Sequence, residues 1–96
     1  MSAYELAIQT AFREVADALA TRATIQEQLG ARVALVEASQ KSLDLAVERY
    51  KAGVEPFLTT LVSARALYAA QNQLVATQQA ALANRILLYR VLGGGA

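Results

Sequence analysis

The chain has 96 residues, 55% of them hydrophobic, and a formal net charge of +1. This length supports at most one small domain, and the balanced charge gives no reason to expect nucleic acid or an anionic membrane as a partner. Cysteine and histidine are both absent, which excludes disulfides, thiolate metal sites and the commonest general base.

The sequence contains no segment that predicts membrane insertion or export. It has no run of about 18 apolar residues, as a transmembrane helix would need. The stretch Met1–Glu5 has no basic segment followed by an apolar one, so no secretion signal is visible. As written, the chain is expected to stay in the cytoplasm.

Residues 3–51 are predicted to form one long helix. Apolar residues recur at alternating spacings of four and three for about six heptads, a pattern typical of coiled-coil packing. The predicted contact series is Ile8, Phe12, Val15, Leu19, Arg22, Gln26, Leu29, Val33, Val36, Gln40, Leu43, Val47 and Tyr50. Such a helix would extend roughly 70 Å. Because a globular core of this size needs no rod so long, the helix is expected to pack against a partner.

Three members of this series are polar, namely Arg22, Gln26 and Gln40. Polar residues at contact positions set register and oligomeric state at some cost in stability. The functional alternative is that these side chains face a solvent-filled interior. Gly30, near the middle of the helix, should cost about 1 kcal/mol relative to alanine, and it marks either a weak point or a close helix contact.

The segment 52–56 is predicted to be a tight turn that reverses the chain. Gly53 can adopt the left-handed conformation that ends a helix, and Pro56 suits the first turn of the next one. Glu55 brings negative charge to the N-terminus of that second helix. We therefore predict an all-α fold, a long antiparallel hairpin with helices at about 3–51 and 56–92, and a flexible tail at 93–96.

The second helix carries two contact series, and its only charged residues are Arg65, Arg85 and Arg90. One series is Phe57, Leu61, Ala64, Tyr68, Gln71, Val75, Gln78, Leu82, Arg85, Tyr89 and Leu92. The other is Ser63, Leu67, Ala70, Leu74, Thr77, Ala81, Asn84, Leu88 and Val91. Two contact series imply that the second helix has neighbouring helices on two sides, but a single hairpin supplies only one neighbouring helix. The hairpin is therefore expected to self-associate into a helical bundle.

No catalytic or cofactor-binding constellation is visible. The chain has no Ser/His/Asp set, no glycine-rich phosphate loop and no metal-ligand spacing, and its acidic residues lack the histidine partners of a di-iron bundle. We expect neither enzymatic activity nor a cofactor. A basic amphipathic face of the kind that binds membrane surfaces is also missing, because the first helix mixes charges of both signs.

Several stretches together resemble a known family. They are Ala11–Ala20, Glu27–Leu29, Ala34–Ala38, Arg49–Val54, Leu67–Gln71 and Leu88–Gly95. In this order, and over nearly the whole chain, they are similar to the C-terminal periplasmic region of TolC-like (OprM/NodT-type) outer-membrane efflux proteins. Each stretch alone is a common helical pattern, but the set is fairly specific.

The resemblance implies a fold and a role. Proteins of this family are trimers in which an outer-membrane β-barrel continues as an α-helical channel across the periplasm. By analogy, this chain would supply a helical hairpin of the channel wall. Its tip would contact the α-hairpins of a membrane-fusion adaptor protein through Gly53, Val54, Pro56, Phe57 and Leu58. No nucleic acid and no direct membrane insertion by this chain are expected.

The sequence departs from the family at the channel entrance. Family members commonly have Tyr-Leu-Asp-x-Leu-Asp-Ala after the turn, and these acids help to line the entrance. The matching stretch here is Phe57–Ser63, with Thr59 and Val62 at the two acidic positions. Pro56 stands where the family usually has serine. The resemblance therefore implies a hairpin whose entrance has lost its acidic groups and whose turn is stiffer.

Neither β-strands, nor a lipid-attachment cysteine, nor a second repeat is present, so the chain is expected to be a fragment of a larger α-barrel protein or a truncated product. The alternative hypothesis is an independent interaction module, a hairpin that dimerises into a four-helix bundle. The oligomeric state separates the two, because the parent family implies a trimer.

Overall fold

The computed structural model describes residues 2–93, which form two helices joined by a tight turn. Helix α1 is Ala3–Lys51 and helix α2 is Phe57–Gly93. The helices run antiparallel as a rod with extents of 75 × 18 × 14 Å, and no strand occurs among the described residues. This confirms the predicted helical hairpin. Of the tail predicted at 93–96, Gly93 ends α2, and the other three residues lie outside the described range.

Helix α1 begins at a side-chain cap and continues without interruption. The Glu5 backbone N–H donates to the Ser2 hydroxyl oxygen at 3.2 Å, which satisfies one of the free donors at the N-terminus. Gly30 lies within the helix, and a Cβ added there would meet nothing within 4 Å. The structure therefore argues against a close helix contact at Gly30. The remaining interpretation is that Gly30 locally lowers the stability of the helix.

The turn closes through backbone hydrogen bonds around Gly53, whose φ is +75°. The Gly53 N–H donates to the Tyr50 carbonyl at 3.0 Å, and the Val54 N–H donates to the Arg49 carbonyl at 2.9 Å. These two bonds define a Schellman motif, which satisfies the last carbonyl groups of α1. Gly53 thus has the left-handed conformation predicted for it, and α2 begins at Phe57, directly after Pro56.

The contact line between the helices is built mainly from small residues. The buried apolar residues among those described are Ala18, Ile25, Ala46, Leu67, Ala70 and Leu88. The buried residues of α2, including the polar Thr60, Thr77 and Asn84, belong to the series that runs from Ser63 to Val91 or extend it by one step toward the turn. The series that runs from Phe57 to Leu92 is largely exposed. Small side chains at the contact allow the helix axes to approach closely.

The predicted contact series of α1 is wrong at alternate steps. Leu19, Gln26, Val33 and Gln40 are exposed, whereas the residues one position earlier in the chain face α2 to varying degrees. Those inward residues are Ala18, Ile25, Arg32 and Ser39. At these steps the contact line runs one position earlier than predicted, through residues that differ in size, and Leu19 and Val33 lie beside it.

Polar side chains connect the two helices at three levels of the rod. The Asn84 amide donates to the backbone carbonyl of Ala18 at 3.1 Å, and the Thr60 hydroxyl donates to that of Ala46 at 3.4 Å. Between them, Arg32 donates to the side-chain oxygen of Gln73 at 3.3 Å. The Thr60 and Asn84 bonds satisfy buried side-chain groups that would be costly to leave without a partner. The Arg32 bond is exposed, and the buried Arg32 Nε has no hydrogen-bond partner among the described residues.

Candidate functional site: the tip and a side groove

The tip of the hairpin, residues 52–58, presents apolar side chains to solvent at one end of the rod. Val54 is 72% exposed, Leu58 is 68% exposed and Phe57 is 50% exposed. Gly53 and Pro56 are exposed as well. All five residues predicted at the tip are therefore exposed at the turn end of the rod. Apolar groups clustered on a small exposed surface are typical of an interaction site.

Two side-chain contacts hold the tip in shape. The rings of Tyr50 and Phe57 pack with their centroids 5.1 Å apart at an interplanar angle of 54°. The Arg49 guanidinium forms an ion pair with the Glu55 carboxylate at 3.0 Å, the one such pair within residues 2–93. Both contacts join the end of α1 to residues beyond Gly53, so they connect the two ends of the turn.

Thr59 and Val62, the predicted entrance positions, lie one turn apart on α2. Thr59 is half-buried, and its backbone N–H donates to the Pro56 carbonyl at 3.2 Å. Val62 is 61% exposed. Residues three apart on a helix lie on the same face, so the structure groups these two side chains next to the tip. Neither of them carries a charge.

A groove of about 650 Å³ lies along one side of the hairpin, near the open end where α1 begins and α2 ends. Apolar side chains from both helices line it, among them Leu19, Leu29, Leu88 and Leu92. Arg22 and Arg85 contribute the charged groups of its wall. The sequence did not indicate this groove, because most of its lining comes from the three residue series that were assigned to helix contacts.

The sequence did not single out Asn84 and Thr60 as residues that bond across the helices. Asn84 was assigned only to a contact series, and its 7% exposure and cross-helix bond mark it as a structural polar group. A lone asparagine within an otherwise apolar and small series is the signal that could have identified it.

Residues 2–93 contain neither a metal-ligand cluster nor a membrane-spanning helix. No group of three or more His, Cys, Asp or Glu side chains lies close enough together to hold a metal ion. Neither α1 nor α2 is long and apolar enough to cross a membrane.

Comparisons with known proteins agree with the resemblance. A family model described as outer membrane efflux protein matches residues 1–94. The toluene efflux pump outer membrane protein TtgF of Pseudomonas putida is 47% identical over 92 residues, which are 96% of this chain and 19% of TtgF. The probable efflux pump outer membrane protein SepC of the same species has the same identity and coverage. The cation efflux system protein CusC of Escherichia coli is 39% identical over 92 residues, 96% of this chain and 20% of CusC.

The chain thus spans about a fifth of the length of these curated relatives. The alternative of an independent homodimeric module gains no support from the matches. The predicted resemblance is confirmed by a family model that matches nearly the whole chain and by relatives above 30% identity. This chain belongs to the outer membrane efflux protein family.

Proposed function

We propose that the hairpin forms part of the periplasmic α-helical wall of an efflux channel and that its tip docks a membrane-fusion adaptor protein. In this role it has no catalytic function and needs no cofactor. The relatives' names, which describe efflux pump outer membrane proteins, support the channel role. The observation that carries the docking role is the exposed apolar tip at the end of a 75 Å rod.

The shape of the hairpin supports a place in a wall. Both helices are uninterrupted. Mostly small side chains are buried between them, so many bulky apolar side chains remain exposed to solvent. Exposed examples on α2 beyond the tip include Leu61, Tyr68, Val75, Leu82, Ile86 and Tyr89. An exposed apolar surface of this extent is expected to be covered by neighbouring helices. A trimer is the assembly that the family implies.

The tip has the features of a docking surface. The Schellman turn and the two bracing contacts fix its backbone, so little order would have to be gained on binding. Its apolar side chains are accessible and adjacent, which suits a hydrophobic contact with another hairpin. Thr59 and Val62, next to it, would give the channel entrance a neutral lining at this hairpin.

A binding measurement with matched variants tests the docking role. The probe is the α-hairpin segment of the adaptor from the toluene efflux pump that contains TtgF, titrated against the 96-residue chain by biolayer interferometry. Phe57→Asp should weaken binding by about tenfold or more, since a charge would replace a central apolar contact. The control is Phe12→Asp, because Phe12 is also an exposed phenylalanine, at 73% against 50% for Phe57, but lies near the open end.

Far-ultraviolet circular dichroism establishes that both variants remain helical. Equal binding by the parent chain, Phe57→Asp and Phe12→Asp would remove the tip from the docking site. Loss of binding in both variants would point to a non-specific apolar contact and would also contradict the proposal.

A further inference from the structure

We propose that Arg32 determines which helix α1 pairs with, because its guanidinium tolerates α2 as a partner but opposes a second copy of α1. The residues of α1 on this inward line recur every seven positions, and Arg32 is the one charged member of the line. The line is Ala18, Ile25, Arg32, Ser39 and Ala46. Arg32 is half-buried there. This inference concerns pairing along the rod and does not depend on adaptor docking at the tip.

The Arg32 guanidinium is only partly compensated within the hairpin. Its Nη1 donates to the Gln73 side-chain oxygen at 3.3 Å, and its buried Nε has no hydrogen-bond partner within residues 2–93. Helix α2 contains no acidic residue, and none stands three or four positions from Arg32 along α1. A cation held at a helix contact with so little compensation lowers stability. Polar residues kept at such positions are best known for setting the partner and the register of a helix pair.

The Arg32 bond depends on which residues meet, whereas the other two cross-helix bonds do not. The Asn84 amide and the Thr60 hydroxyl both donate to backbone carbonyl groups, which every residue supplies. Gln73 is a side-chain acceptor, and the residues seven positions before and after it are Ala66 and Ala80, whose side chains accept nothing. Sliding α2 by one heptad would therefore leave the guanidinium without this acceptor.

A second copy of α1 is the competing partner that Arg32 disfavours. The apolar heptads of α1 are of the kind that pair with themselves. In a parallel, in-register pair, each inward residue meets its own counterpart, so Arg32 would face Arg32 with no carboxylate beside it. Like charges brought together at a contact are unfavourable and act against the wrong partner. Arg22, Gln26 and Gln40, the polar residues predicted to control pairing, are exposed.

A single introduced thiol can report contact between two α1 helices, because the chain has no cysteine. Ala18→Cys places it on the inward line, two heptads from Arg32. Ala18 is 3% exposed in the hairpin, so the thiol is protected there, whereas a parallel pair of α1 helices brings two thiols together. The 96-residue chain is unfolded in urea and refolded in a glutathione redox buffer, where disulfides exchange. Non-reducing gel electrophoresis then gives the fraction of disulfide-linked dimer.

We expect Arg32→Leu, added to Ala18→Cys, to raise the dimer fraction at least about fivefold, since it removes the like-charge contact. Arg32→Lys keeps the charge and should leave the fraction near that of the parent. The matched control is Arg13→Leu, which makes the same substitution at an exposed arginine of α1 and should have no effect. Arg32→Met replaces Arg32→Leu if circular dichroism shows that the leucine variant loses helicity.

Urea unfolding of the same variants separates partner choice from ordinary stability. The midpoint for Arg32→Leu should equal or exceed that of the parent, because an apolar side chain replaces a poorly compensated cation. A lower midpoint would overturn the proposal, since a weakened hairpin alone would then explain the extra dimer. Unchanged dimer in Arg32→Leu would also overturn it. So would an equal rise in Arg13→Leu, which would show an effect of net charge.

Discussion

The aromatic ring of Tyr50, near the end of α1, packs against that of Phe57, the first residue of α2, with 5.1 Å between the ring centroids. This contact spans the turn, and both rings remain about half exposed. The backbone bonds around Gly53 end α1. The Tyr50–Phe57 contact and the ion pair from Arg49 to Glu55 add side-chain contacts between the end of α1 and the residues that follow the turn.

The aromatic contact should be measurable as a coupling between the two residues. In a double-mutant cycle of Tyr50→Ala and Phe57→Ala, we expect a coupling free energy of about 0.5–1.5 kcal/mol, as found for aromatic pairs. Urea unfolding followed by circular dichroism gives the four free energies of unfolding. The reference cycle pairs Phe57→Ala with Tyr89→Ala, because residues this far apart should be additive. Equal couplings in the two cycles would contradict a specific contact.

Glycine-to-alanine substitutions at Gly53 and Gly30 should have opposite signs. Gly53 has a φ of +75°, where a Cβ costs about 1–2 kcal/mol. Gly30 is helical, and an added Cβ meets nothing, so Gly30→Ala should stabilise the chain by about 0.5–1 kcal/mol. Thermal unfolding of the two variants beside the parent chain checks this. If both variants shifted the melting temperature in the same direction, either the left-handed conformation of Gly53 or the open space at Gly30 would be refuted.

Asn84 should contribute more to stability than an exposed asparagine of the same helix. Asn84→Ala removes the bond to the Ala18 carbonyl and should lower the free energy of unfolding by about 1 kcal/mol or more. Asn72→Ala is the control, since Asn72 is exposed, and it should change that free energy by less than about 0.5 kcal/mol. The comparison uses denaturant unfolding at one chain concentration. A smaller effect at Asn84 than at Asn72 would mean that the cross-helix bond adds nothing.

The isolated chain should self-associate. Only six apolar residues are buried among those described, three of them alanines, which is a small core for two helices of this length. Size-exclusion chromatography with light scattering over a tenfold range of concentration measures the mass. A trimer or a multiple of three would favour wall-like side contacts, and a dimer would favour a four-helix bundle. A monomer at high micromolar concentration would contradict the prediction.

The helices and the turn were predictable because their signals are local. Gly53 and Pro56 lie next to the boundaries that they set. The predicted first helix, 3–51, has the observed bounds, and the predicted second helix differs from Phe57–Gly93 by one residue at each end. Backbone preferences of single residues carry this information, and no tertiary contact is needed to read it.

The contact line and the groove were not predictable in the same way. Leu19 and Val33 look like core residues in sequence, yet they lie outward, while Ala18 and Arg32 face α2. Hydrophobic periodicity locates the apolar stripe on a helix, but it does not show which residues of that stripe contact a given neighbouring helix. When a helix has more than one neighbour, which part of its apolar stripe meets each neighbour depends on tertiary packing, and this is not encoded locally.

The 75 Å length of the rod has a mechanical consequence. A stiff hairpin pivoting about its open end acts as a lever, since the displacement of any point grows with its distance from the pivot. A tilt too slight to disturb side-chain packing near the open end would carry the tip through several ångströms. Small rearrangements at one end of such a rod are thereby converted into large movements at the other.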